Sequence, residues 1–215
     1  MQSILVLLPS LLQGAVVTIE ITLISAVLSF FMAFIAGFGR LSKFFIIRMI
    51  ASIYIEVFRG TSLLVQLFWL YFALPMFGLQ LPPMVAGIIA LVLNYGAYGA
   101  EVVRSAILAV PKGQTEASIA LNLSNWQRMR LVILPQALLI MLPTFGNNLI
   151  ELLKSTSLVS LVTIADLTFK GIELQTTTLQ STTIFSLLLI LYFVIAYPLS
   201  LGVRWIERRV SVGRM

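Results

Sequence analysis

Five apolar runs, near residues 11–38, 53–75, 84–108, 136–156 and 183–203, are each long enough as a helix to cross a hydrocarbon layer about 30 Å thick. Backbone groups in such a layer have no water to bond, so the runs are expected to be helical and the protein an all-α integral membrane protein. With 60% of the 215 residues hydrophobic and only 10% charged, a soluble domain is excluded. The whole chain, 1–215, reads as one transmembrane domain. Its start lacks a basic region, a short apolar core and a small-residue cleavage site, so the first run is expected to be retained.

Several chemistries drop out on composition. The sequence has no cysteine and no histidine, which removes disulfides, thiolate sites, imidazole acid–base catalysis and imidazole metal ligation. No GxxxxGK[ST] pattern occurs, so any ATP chemistry belongs to a partner. The formal charge of +6 is not a nucleic-acid footprint, because the basic residues sit at the ends of apolar runs and not among aromatics on one polar face.

Those end positions orient the chain. Arg40, Lys43 and Arg48 follow the first run; Lys112, Arg128 and Arg130 lie in the central loop; Arg204, Arg208, Arg209 and Arg214 are in the tail. The opposite side has only Lys170. The positive-inside rule then predicts an outside N-terminus, with the central loop and C-terminus cytoplasmic.

Within the runs, polar and small residues recur at helical spacing. Thr18, Thr22, Ser25, Ser29, Ala33 and Ala36 share one side of the first run, a seam for close helix packing, with Glu20 off it. Phe44–Ile53, interrupted by Arg48, is expected along the inner surface. Glu56, Arg59, Leu63 and Gln66 fall on one face of a continuous helix, which predicts a Glu56–Arg59 pair. Asn94, Tyr98, Glu101 and Arg104 line one side of the third run, where Gly96, Gly99 and Ala100 permit tight contact; Glu101 and Arg104 are expected to pair. In the fourth run Asn147, Glu151 and Lys154 are spaced i, i+4, i+7, flanked by Asn148 and Ser155. An internal Glu151–Lys154 bridge and a solute-lining face both fit, since polar groups at that depth avoid lipid. Residues 157–182 are expected to form short surface helices.

The one long polar interruption is Pro111–Gln136. It reads as two short helices. Thr115–Leu123 has an apolar stripe at Ala117, Ala120 and Leu121, and Asn122 stands where a left-handed residue would end the first helix. Ser124 precedes Gln127 by three residues, a capping box that opens the second, and Leu134-Pro135 suits the first turn of the next.

Glu116-Ala117-Ser118, Asn122 and Val132-x-Leu134-Pro135 resemble the EAA…G…I-LP loop of type I, binding-protein-dependent ABC importer permeases, with Ser118 in place of the second Ala and Asn122 in place of Gly. EVFRGTSLLVQLF is similar to EVFRGTPLLVQLFF of the polar amino-acid branch, with Ser62 where Pro is usual. AYGAEVVRSAI leading into VPKGQ, and GNNLIELLKSTSLVS, resemble the same family, so that the likeness runs from about Gly14 to Arg208. The stretch FRGTSLLVQLFWLYFALP is similar to ectoine and hydroxyectoine members.

The resemblance implies a five-helix permease fold in a bacterial cytoplasmic membrane. It implies a coupling helix with Gly113, Glu116, Ala117, Ser118, Leu121 and Asn122, and a translocation path drawn from Gln66, Asn94, Glu101, Asn147, Asn148, Glu151 and Lys154. The implied partners are two cytoplasmic ABC ATPase subunits that bind the ATP and Mg, a second permease of the same or a related chain, an extracytoplasmic solute-binding protein and membrane lipid. This chain itself is expected to be non-catalytic and to hold no cofactor. The implied solute is a polar amino acid or a related zwitterion such as ectoine. A self-sufficient channel or secondary transporter is the alternative, against which stand five runs with no visible repeat. An intramembrane enzyme would need His, Cys or a convergent Ser/Lys or Asp/Asp pair that the runs do not offer.

Overall fold

The computed structural model describes residues 4–212, with side chains from 7 to 209; Arg214 lies outside the described residues. Every element is helical. α1 (Ile4–Arg40) and α4 (Pro83–Ala109) form the spine, and the expected seam is what brings them together. Thr18, Thr22, Ser25, Ser29, Ala33 and Ala36 are all buried, whereas Glu20 is exposed. Facing small residues set the spacing: a Cβ on Gly99 would stand 2.6 Å from the Ala33 Cβ, and one on Gly96 2.8 Å from the Tyr54 hydroxyl.

The second apolar run is not one helix. α2 (Phe45–Gly60) ends at Gly60, Thr61 and Ser62 are extended, and α3 (Leu63–Phe68) restarts and passes through a π turn, Trp69–Ala73, into a 3-10 turn, Leu74–Phe77. The two arms meet at 106°. The continuous face expected for Glu56, Arg59, Leu63 and Gln66 therefore does not exist. A glycine followed by two hydroxyl residues has little helix preference, and Thr61 Oγ1 instead donates to the Val57 carbonyl at 2.8 Å, closing the end of α2. Among the described residues, four unbroken helices are long and apolar enough to cross a membrane, Leu7–Arg40, Pro83–Ala109, Asn125–Val162 and Ser181–Arg209, and the bent pair makes a fifth.

The central stretch folds as α5 (Lys112–Ala120) and α6 (Asn125–Gln127). α5 starts three residues earlier than the apolar pattern implied. α6 does not stop before α7 (Leu134–Ser155) but runs into it through a π segment, Arg128–Ile133. Pro135 has no N–H and crowds the carbonyl four residues back, so the helix widens ahead of it where a new one was expected to begin.

Helix ends sort into two layers. Ala33, Val103, Ala106, Ile133 and Ala137 pack together at the central-loop end. At the other end Leu11, Ala15, Leu167 and Leu188 join α1 to α8 (Leu167–Thr178) and α9 (Ser181–Val212). α8 is a short helix of the kind expected over 157–182, whereas the preceding 3-10 turn, Thr156–Val162, is not on the surface: Val159 and Val162 are buried in a core cluster with Ile21 and Leu91. Asp166 caps α8: its Oδ1 accepts the Phe169 N–H at 2.9 Å, and the Tyr192 hydroxyl donates to its Oδ2 at 3.4 Å. Thr18 Oγ1 accepts the Leu167 N–H at 3.1 Å, tying the same turn to α1.

Asp166 is fully buried with no cation beside it. Burial pushes its carboxyl up to about 6 from an ordinary 3.8, outweighing the N–H donors that favour the charged form. The folded protein thus holds this proton more tightly than the unfolded chain. The stabilisation is complete below about pH 4 and is lost as pH rises through about 6, on the order of 3 kcal/mol in all. Asp166→Asn keeps a capping side chain without the charge. Its melting temperature in detergent is expected to exceed wild type at pH 7.5 and to match it near pH 4.5; a variant less stable at both would show that the ionised carboxylate supports the fold.

Candidate functional site

Three groups of polar side chains stand out, and each is built by local structure. The first is the central projection. α5 ends in a Schellman turn: Asn122 takes φ 57°, its N–H reaches the Ile119 carbonyl at 2.8 Å, and the Leu123 N–H reaches that of Ser118 at 3.0 Å. The capping box forms as the sequence predicts, with the Gln127 N–H on Ser124 Oγ at 3.3 Å and the Ser124 N–H on Gln127 Oε1 at 3.0 Å. The side chain that turns inward is Ser118, whose hydroxyl donates to the Thr115 carbonyl at 2.7 Å. The stripe of Ala117, Ala120 and Leu121 faces outward instead, with Gly113 and Glu116 also exposed. Leu121 is 74% and Trp126 65% exposed, and the Arg130 guanidinium lies over the Trp126 ring at 4.9 Å. An exposed projection with apolar tips, its turn closed by a Schellman motif and a capping box, has been made from the least apolar part of the chain.

The second group holds the broken span. Gln66 and Asn94 are buried, and their amides are spent on backbone. Gln66 Nε2 donates to the Phe58 carbonyl at 2.9 Å, to the Thr61 carbonyl at 3.2 Å and to Thr61 Oγ1 at 2.8 Å. Asn94 Nδ2 donates to the Phe58 carbonyl at 3.0 Å and to Gln66 Oε1 at 3.2 Å. The carbonyls released where α2 ends are thus met by two amides from α3 and α4. Nearby, Glu101 takes the Arg104 Nε at 3.0 Å, as expected, but also Arg40 Nη1 at 3.4 Å. Arg40 Nη2 bonds Glu56 Oε1 at 2.9 Å, so Glu56 pairs with Arg40 and not Arg59, which lies 5.4 Å over the Tyr98 ring. With α2 broken just beyond it, Arg59 turns toward α4. The Arg40 link joins residues 61 apart in the chain and has no local sequence signal.

The third group lies on α7. Asn147, Glu151 and Lys154 are all exposed along one face, and neither Glu151 nor Lys154 takes part in an ion pair among the described residues. The internal bridge considered for them is not formed. Asn148, one residue on, points away from that face and lines a cavity of about 630 Å³ between α1, α7 and α9, walled by Phe30, Phe145 and Leu152. Its Nδ2 is buried without a hydrogen-bond partner among the described residues, as is Ser25 Oγ. The Tyr95 hydroxyl and Ser155 Oγ bond at 2.7 Å. Of the residues expected to line a path, three share an open face, Asn148 faces the cavity, Glu101 is partly exposed in an ion network, and Gln66 and Asn94 are internal fasteners.

Residues 25–212 match the family described as "Binding-protein-dependent transport system inner membrane component". The chain is 50% identical over 208 residues to the probable amino-acid ABC transporter permease protein y4tF of Sinorhizobium fredii, covering 94% of this chain and 87% of that one. It is 38% identical over 207 residues to the glutamine transport system permease protein GlnP of Escherichia coli, covering 95% and 94%. Among solved structures, an amino acid ABC transporter crystallised with histidines superposes with a TM-score of 0.89 at 36% identity, covering 94% of each chain.

The amide clasp makes a quantitative prediction. Gln66→Leu strips donors from the Phe58 and Thr61 carbonyls and should cost about 1–3 kcal/mol of stability, as should Asn94→Leu. Because the two amides also bond each other, the double variant should lose clearly less than the sum in denaturant or thermal unfolding. Strictly additive losses would mean that they act separately.

Proposed function

The chain belongs to the binding-protein-dependent transport system inner membrane component family, as a type I ABC importer permease of the polar amino-acid branch, and from that premise we propose how it works. It is a multi-pass membrane subunit that carries a polar amino acid or a related zwitterion inward. Energy comes from two separate ATPase subunits that hold the ATP and Mg. The central projection is cytoplasmic, in keeping with the basic residues around it, and docks into the ATPase through Gly113, Glu116, Ala117, Ser118, Leu121 and Asn122.

The observation that carries this reading is the projection itself. Leu121 and Trp126 are apolar yet exposed, on the same projection as the exposed Glu116 and at a turn fixed by a Schellman motif and a capping box. A rigid knob is what transmits a push; a floppy loop would absorb it. Because α6 continues into α7, a displacement of the projection is passed along one helix to the face that bears Asn147, Glu151 and Lys154.

That face supports the solute class. An amide, a carboxylate and an ammonium in one stripe offer both signs of charge to a zwitterion, and such groups are costly toward lipid. We place the stripe on a path between two permease copies, the same or related, which also gives its charges a covered, wet surface. Solute delivered by an extracytoplasmic binding protein enters this path when ATP draws the two projections together, and leaves when they part. The GlnP likeness supports an amino-acid cargo. An ectoine-like solute is the narrower reading, supported by the FRGTSLLVQLFWLYFALP stretch alone.

Two substitutions test the docking role. Glu116→Lys should leave insertion and melting unchanged while abolishing solute-stimulated ATP hydrolysis in the reconstituted transporter; normal stimulation would exclude coupling here. Asn122→Gly should be tolerated and Asn122→Val should not, since a branched side chain at φ 57° costs about 1–2 kcal/mol and would swing the projection. Equal activity of the two would show that the turn's geometry is irrelevant.

A further inference from the structure

We propose that the start of α2, from Lys43 to Ile50, is a docking site for an anionic phospholipid of the leaflet at the central-loop end. Every residue in this stretch is exposed, including Phe44, Phe45, Ile46 and Ile50, although the same helix is buried from Ala51 onward at Ala51 and Ile55. The register explains the overhang. A Cβ on Gly39 would touch Ala51 at 3.1 Å, and Ala36 clusters with Ile55, so α1 and α2 run antiparallel from there. Residues 45–50 consequently extend past the last residues of α1, where the apolar layer gives way to headgroups.

Two cations sit among these apolar side chains. Lys43 and Arg48 make no ion pair among the described residues, and no acidic residue lies between Arg40 and Glu56. Glu56, the nearest carboxylate along the helix, is already held by Arg40. The Arg48 guanidinium lies 6.0 Å over the Phe45 ring, keeping its charge along the helix. Two free positive charges above a bed of aromatic and aliphatic carbon match the chemistry of one phosphate with its acyl chains. A second copy of this chain would bury the same apolar side chains, but a two-fold contact through this patch would gather Lys43 and Arg48 of both copies in one interface with no carboxylate from either patch to balance them. The lipid is therefore the occupant. It would steady the inner end of the helix whose other end carries the amide clasp.

The test offers the purified transporter a nanodisc of mixed phosphatidylglycerol, phosphatidylethanolamine and phosphatidylcholine, then measures by native mass spectrometry which lipids stay bound. Wild type should retain phosphatidylglycerol preferentially. The Lys43→Gln/Arg48→Gln variant should lose that preference by about tenfold or more, since each cation near an anionic headgroup contributes about 1 kcal/mol. Lys43→Arg/Arg48→Lys should keep it, and Lys170→Gln, at the far end, should not alter it. The melting temperature in neutral detergent should be the same for all, which separates lost lipid from lost fold. Unchanged phosphatidylglycerol retention in the charge-removed variant would overturn the proposal. So would efficient disulfide cross-linking between two Ile46→Cys copies in the membrane, which would assign the patch to a second chain.

Discussion

A backbone carbonyl in a hydrocarbon layer has to find a donor within the protein, and the rest of this structure is arranged around the one place where that is hardest. At Gly60 the second span stops being helical and turns through 106°. The released Phe58 and Thr61 carbonyls are met by the amides of Gln66 and Asn94, which also bond each other. The clasp fixes α3 to α4 and holds the corner at a set angle. Within a turn of it, Arg40 bridges Glu56 and Glu101, a second tie between α2 and the α1–α4 spine. The spine is close enough for those bonds because its facing residues are Gly, Ala, Ser and Thr.

The same constraint makes the remaining polar groups informative. Several polar groups between the helices are satisfied within the chain: Asp166 by an N–H and a tyrosine hydroxyl, Ser155 by Tyr95, Glu101 by two arginines. The stripe of Asn147, Glu151 and Lys154 is not paired in this way, and it is carried on the helix that continues unbroken from the central projection. In a membrane, charges left open in this way need water or another subunit. The proposed pair of permease chains around a wet path would supply both. In the proposed mechanism the knob and the stripe are two ends of a single lever.

What could be read from sequence was what local chemistry decides. The seam from Thr18 to Ala36, the left-handed Asn122, the Ser124–Gln127 box and the Glu101–Arg104 pair each depend on residues within a few turns of one another, and each is present. The break at Gly60 was missed because apolar content masked a Gly-Thr-Ser triplet that disfavours helix, and with it went the expected Glu56–Arg59 pair. Asn94 and Gln66 looked like path residues because a buried amide in a span has the same sequence signature whether it meets solute or backbone. The partner of Arg40 was invisible for a different reason: only tertiary packing brings residues 40 and 101 together. The outward turn of Ala117 and Leu121 reverses the usual reading of an apolar stripe, as it must if that stripe is to meet another protein.

The central claim is that the stripe on α7 faces water along a path that ATP opens and closes, and the absence of native cysteine makes it directly measurable. Single cysteines placed at Asn147, Glu151 and Lys154 in the assembled transporter can be exposed to a charged, membrane-impermeant thiol reagent, with and without a trapped nucleotide. The account predicts labelling at all three sites, with the accessible side of the membrane switching on ATP binding, and no labelling at Leu23, an exposed apolar residue in the middle of α1. Cysteines at the three positions that resist the charged reagent in both states, yet react with a lipid-soluble one, would contradict it.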